Sequence, residues 1–142
     1  MFAYGKTAAD AISVMSYLAT LSEKQLADTE EIAKSRGISR AVVSKLLNRL
    51  TKNGLTQGIA GQRGGYRLGR TASSITLEEI ISPFETSKTE SPCPFGRNWC
   101  GKNNPCPIHD SIEKIAELNR QFLRGTLLSE FSRPTLSCAT KA

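Results

Sequence analysis

Apolar residues recur at Val43, Leu46, Leu47 and Leu50 with the 3.6-residue period of a helix that buries one face. Arg40, Ser44, Lys45, Arg49 and Lys52 fall on its other, polar face, and Ser39 is the natural cap. Asn53-Gly54 ends the helix, since both residues tolerate the left-handed conformation of a helix stop. Leu55 to Ala60 then reads as a strand, Gly61 to Gly65 as a loop, and Tyr66 to Leu68 as the return strand. Upstream, a short helix from Glu30 to Ser35, capped by Asp28 or Thr29, leads into a turn at Gly37. A first helix over Thr7 to Leu21 places Ile12, Met15, Leu18 and Ala19 on one side. Helix–turn–helix followed by hairpin is the order of a winged helix. The fold class is therefore mainly α with a small β-hairpin wing.

The pattern weakens after the wing. Thr71 to Ser74 is a polar connector, and Thr76 with Glu79 has capping-box spacing before Ile80 and Ile81. Pro83 closes that short helix. Residues 85–108 show no period and hold four prolines, two glycines and three cysteines. Asp110 is the expected cap of a long helix with Ile112, Ile115, Ala116 or Leu118, Phe122 and Leu123 as its stripe and Gly125 as its stop. Thr126 is the expected cap of a last short helix through Leu127, Leu128 and Phe131. This divides the chain into a DNA-binding unit over 1–83, a cysteine-rich loop over 84–109, and a dimerisation helix with tail over 110–142. A small winged helix already fills its own core, so the long stripe calls for a twin helix in a homodimer. The competing arrangement packs it on the first helix of its own chain.

Charge sharpens the picture. Residues 32–77 contain nine Lys or Arg and no Asp or Glu. The net charge of +6 lies entirely within residues 1–70, while residues 71–142 balance. A merely solvated face mixes signs, so this asymmetry indicates phosphates as the counter-charge. Recognition helices meet base edges with their first turns, which makes Ser39, Arg40, Ser44 and Lys45 the candidate readers, with Arg49 beyond them. Arg40 is the candidate guanine contact. Arg63 and Arg67 flank the glycine-rich tip and are the candidate wing contacts with backbone or minor groove.

Met1 to Lys6 leads straight into an amphipathic pattern without a signal peptide, and no apolar run reaches the ~18 residues of a membrane span. The expected location is cytoplasmic, with no membrane partner. One histidine, no paired carboxylates and no phosphate-cradling glycine loop give no enzyme constellation and no small-molecule substrate.

In the cytoplasm cysteines are metal ligands or reactive thiols before they are disulfides. Cys93, Cys100, Cys106 and His109 form the pattern C-x(6)-C-x(5)-C-x(2)-H among stiffening prolines. Thiolates with imidazole suit zinc or an iron–sulfur cluster, and the spacing does not choose between them. Trp99 is either a shield for such a group or a packing anchor. Cys138 reads as a free thiol.

Lys52-Asn53-Gly54-Leu55, Gly64 to Arg70, Ala72 to Ile75 and three cysteines before a long helix resemble the IscR-type regulators. These are bacterial winged-helix transcription factors that carry iron–sulfur clusters, including NsrR and RirA. The resemblance implies a homodimer, a double-stranded DNA operator, and a cluster held by Cys93, Cys100, Cys106 and a fourth ligand. In the IscR branch that ligand is a histidine in the place of His109, and the cluster is [2Fe-2S]. In the nitric-oxide-sensing branch it is an acid near the start of the first helix, and the cluster can be [4Fe-4S]. The aligned position here is Ala9, with Asp10 adjacent. The expected function is regulation of operator affinity by a cluster that senses redox state, nitric oxide or iron supply. The alternatives are a DNA-binding protein with structural zinc and an electron-transfer protein with a basic docking face.

Overall fold

Side-chain caps set the starts of three helices in the computed structural model, which describes residues 4–85 and 106–133. Asp28 accepts from the Glu31 N–H at 2.8 Å and opens α2, Thr29–Arg36. Ser39 accepts from the Val42 N–H at 3.4 Å and opens α3, Arg40–Lys52. Thr76 and Glu79 form a reciprocal capping box before the short helix α4, Leu77–Ile81. Each orphan N–H satisfied this way stabilises a helix start by about 1 kcal/mol. α2 ends at Gly37, whose φ of 64° is left-handed.

α1, Lys6–Ala19, lies at the centre, against α2, α3, α4 and the second hairpin strand. Its buried positions are Ala8, Ala11, Val14, Met15 and Leu18, while Ile12 and Ala19 are half-covered. The expected face is thus rotated, because neighbours on several sides select the small residues for close approach. Val43, Leu46, Leu47 and Leu50 are buried as their period predicts.

The hairpin pairs β1, Thr56–Ile59, with β2, Gly65–Leu68, in the register Thr56 to Leu68 and Ile59 to Gly65. β1 is shorter than the Leu55–Ala60 expectation, since Leu55 turns inward to the core. Tyr66 exchanges two backbone hydrogen bonds with Ala27, at 2.8 and 3.1 Å, which pins the wing to the segment before α2. A Cβ on Gly64 would lie 2.2 Å from the Ile59 carbonyl oxygen, so the turn excludes any side chain there. Of the Asn53-Gly54 pair, Gly54 alone is left-handed, at φ 73°. The Asn53 side chain instead donates to the Arg49 carbonyl at 2.8 Å.

The connectors hold turns of their own. Ala72–Ser74 and Ser82–Phe84 are 3-10 turns, so Pro83 sits inside a turn that follows α4. Further along the chain, α5 runs His109–Gly125. Its N-cap is Ile108, without a side-chain cap, and Asp110 lies within the first turn, where the helix dipole favours an acid. Thr126 is the C-cap of α5, its N–H donating to the Phe122 carbonyl at 3.0 Å, and it does not open the last turn, whose N-cap is Leu127. The Thr126 carbonyl accepts from the Leu77 N–H at 3.0 Å, and Leu128 N–H donates to the Ile75 carbonyl at 2.8 Å. This extended clasp on the entrance of α4 delays the last 3-10 turn to Leu128–Ser132. α5 meets α4, through buried Leu123 and an Arg124–Glu78 ion pair at 3.0 Å, rather than resting chiefly on α1.

Glu79 joins these parts. It accepts from the Thr76 N–H at 2.9 Å and from Arg70, just past the wing, at 2.8 Å. The backbone donor first, and Arg70 second, hold its carboxyl below the usual 4.5. A depressed folded-state pKa contributes stability that is complete above 4.5 and lost as pH falls through the folded value. Glu79→Gln should therefore unfold earlier in urea than wild type at pH 7, and the gap should close as pH falls below 4.5 and through the lowered folded-state value. The gap should stay under about 1 kcal/mol, because the side chain is 42% exposed and water screens it.

Candidate functional site

The core face of α3 fixes which residues look outward. Opposite Val43, Leu46, Leu47 and Leu50, at spacings of four, three and four, stand Ala41, Lys45, Asn48 and Lys52, all exposed. Arg40 lies on one flank, its guanidinium 3.7 Å from the Glu30 carboxylate, which also holds Lys34 at 3.3 Å. An exposed pair of this kind is weak and exchanges readily for a phosphate or base. The Ser39 oxygen is engaged in the cap, which leaves its hydroxyl proton to donate. Ser44 is half-buried. Arg49 stacks over the Phe84 ring at 5.6 Å and is drawn toward the end of the winged unit.

The two wing arginines separate in role. Arg67 donates through Nε and Nη2 to Gln57 Oε1, at 3.1 and 3.0 Å, across the hairpin. It braces the wing. Arg63 is exposed in the loop, and among the described residues it has no ion-pair partner, like Lys45 and Lys52. α3 and the hairpin carry no acid at all. Ala41 and Asn48 were absent from the sequence-based set. The phase of the core stripe was the signal that could have found them, since the residue four positions before Lys45 and the one three after it must share its face.

Of the cysteine pattern, Cys93 and Cys100 lie outside the described residues. Cys106 is 9% exposed, and its carbonyl accepts from the His109 N–H at 2.9 Å. One turn thus carries a buried thiol and, at the first residue of α5, a half-buried imidazole. These are soft and borderline donors three residues apart, a set that fits iron–sulfur or zinc ligation. Among the described residues, no three His, Cys, Asp or Glu gather as a metal site. At the alternative position Ala9 is exposed, and the neighbouring Asp10 is paired with Lys6 at 2.9 Å.

Among the described residues, α5 carries an exposed apolar stripe. Ile108, Ile115, Leu118 and Phe122 are 45%, 56%, 65% and 48% exposed, and Ile112 between them is half-covered. Among the described residues no helix is long and apolar enough to cross a membrane.

Residues 4–134 match the family model Rrf2, described as an iron-dependent transcriptional regulator. The HTH-type transcriptional regulator IscR of Klebsiella pneumoniae is 33% identical over 120 residues, 84% of this chain and 73% of that one. Among solved structures, CymR of B. subtilis, titled a global cysteine regulator, aligns with a TM-score of 0.77 at 21% identity, covering 93% of this chain and 97% of that one. T. potens IscR aligns with a TM-score of 0.70 at 22% identity, covering 91% and 85%. At such identities the two structures speak for the fold.

Proposed function

Because the chain belongs to the Rrf2 family of transcriptional regulators, we propose that it is a homodimeric, operator-binding regulator whose DNA affinity is set by an iron–sulfur cluster. Its relatives are transcriptional regulators and not enzymes. Residues 1–83 bind DNA, residues 84–109 hold the cluster, and residues 110–142 form the dimer.

The observation that supports this reading is the backbone turn in which the His109 N–H donates to the Cys106 carbonyl, so that a buried cysteine and a half-buried histidine share the turn that opens α5. The cysteine-bearing stretch of sequence thereby leads directly into the helix with the exposed apolar stripe. Cys93, Cys100, Cys106 and His109 would hold the group, in the [2Fe-2S] form that a histidine in the place of His109 implies, with [4Fe-4S] as the other form. A bound cluster supplies redox-active iron and a reaction site for oxygen or nitric oxide. The chain's own residues do the rest. Cys106 and His109 anchor the loop to α5, α5 sets the spacing of two winged units near one turn of DNA, and α4 joins α5 to the wing through Glu78 and Glu79. Ser39, Arg40, Ser44, Lys45 and Arg49 serve base and phosphate contact from α3, with Arg63 at the wing tip and Arg67 bracing it.

Protein purified without oxygen should be brown and contain iron with sulfide. Operator affinity should differ by about 5–150-fold between cluster-loaded protein and both cluster-free and Cys106→Ala protein, at one salt concentration. Equal affinities would reduce the metal to a staple of the loop, and a colourless protein containing zinc would replace the cluster by a structural metal.

A further inference from the structure

Nearly every large apolar side chain of residues 4–85 is covered. The exposed ones among them are Val42 and Ile59. Ile59 has a local cause, since its cross-strand partner is Gly65, which has no side chain to cover it. Val42 has none. It stands on the first turn of α3, 36% exposed, with Arg40 before it and Lys45 and Arg49 beyond it. A phosphate-lined groove offers an aliphatic side chain few apolar partners. In the major groove one is distinctive, the 5-methyl group of thymine. Ala41, beside Val42 on the outermost line of the helix, is too short to hold the backbone away from the groove floor.

We propose that Val42 is a specificity-determining residue that packs against a thymine methyl in each half-site, so that one position of the operator is read by apolar contact and not by hydrogen bonding. This rests on the DNA-binding reading and extends it to a residue that makes no polar contact with a base.

Uracil in place of thymine keeps every hydrogen-bonding group and removes that methyl. The full-length protein is first offered a pool of random double-stranded DNA, and the preferred sequence is taken as operator. Thymines are then replaced by uracil, one position at a time. Loss of one buried methyl corresponds to about a fourfold loss of affinity. Wild type should show that loss at one thymine per half-site. Val42→Ala should bind thymine and uracil versions equally, while Val42→Thr, which keeps a methyl and the branched shape, should retain the discrimination. If no thymine is sensitive, or if sensitivity persists in Val42→Ala, the proposal is overturned while the DNA-binding reading stands. A pool that yields no preferred sequence overturns that reading and the proposal with it.

Discussion

Leu118→Glu should leave each chain folded, convert the protein to a monomer, and weaken operator binding by about 10²–10⁴-fold. Leu118 is 65% exposed in the single chain, so its replacement disturbs little within that chain and the far-ultraviolet circular dichroism of the folded protein should hold. Ile108, Ile112, Ile115, Leu118 and Phe122 follow one another at spacings of four, three, three and four, the stripe of a helix face. Across a two-fold axis each such residue meets its own face on the second copy. A glutamate there brings carboxylates together in an apolar interface, where desolvation and repulsion both oppose association. Two linked winged units bind two half-sites with the second contact effectively intramolecular, and a monomer loses that advantage. Sedimentation and operator titration on the same samples measure both effects. A variant that remains dimeric would move the interface away from α5.

Ile80→Ala should destabilise the fold by about 2–5 kcal/mol. Ile80 is fully buried in α4, a helix of five residues. Isolated helices below about 12 residues do not persist in water, so α4 depends on its capping box and on burying Leu77, Ile80 and Ile81. It packs against α1 on one side and α5 on the other. Within a total stability of about 5–15 kcal/mol, a cavity at that junction removes a large share. Urea unfolding measures it, with Ile59→Ala as the exposed comparison expected to shift by no more than about 0.5 kcal/mol. An unmoved midpoint would mean that α4 contributes little to cohesion.

Much of this was legible because the winged unit is built from local rules. The 3.6-residue stripe of α3, the caps at Ser39 and Thr76, the glycines of the hairpin turn and the absence of acid from residues 32–77 each involve neighbours in sequence. Misreadings occurred where a distant segment intervened. Thr126 reads as the N-cap of the last helix, but its backbone is drawn out to pair with residues 75–77. Ile12 and Ala19 belong to the stripe of an isolated helix, whereas α1 is surrounded and its buried face follows its neighbours. Asp110 has the chemistry of a cap, yet the helix begins one residue earlier.

The sequence by itself determined the wing, its basic character, the four candidate metal donors and the family likeness, because composition and spacing carry that chemistry wherever the chain goes. Tertiary structure alone decided how these residues are employed. It tied Arg67 to Gln57, Arg40 to Glu30 and Arg49 to Phe84, and joined α5 to the wing through adjacent carboxylates on α4. The physical reason is that a charged side chain fixes what it can bind. Which partner it meets depends on segments up to 46 residues away, as in the Arg124–Glu78 pair, and folding alone brings those within reach.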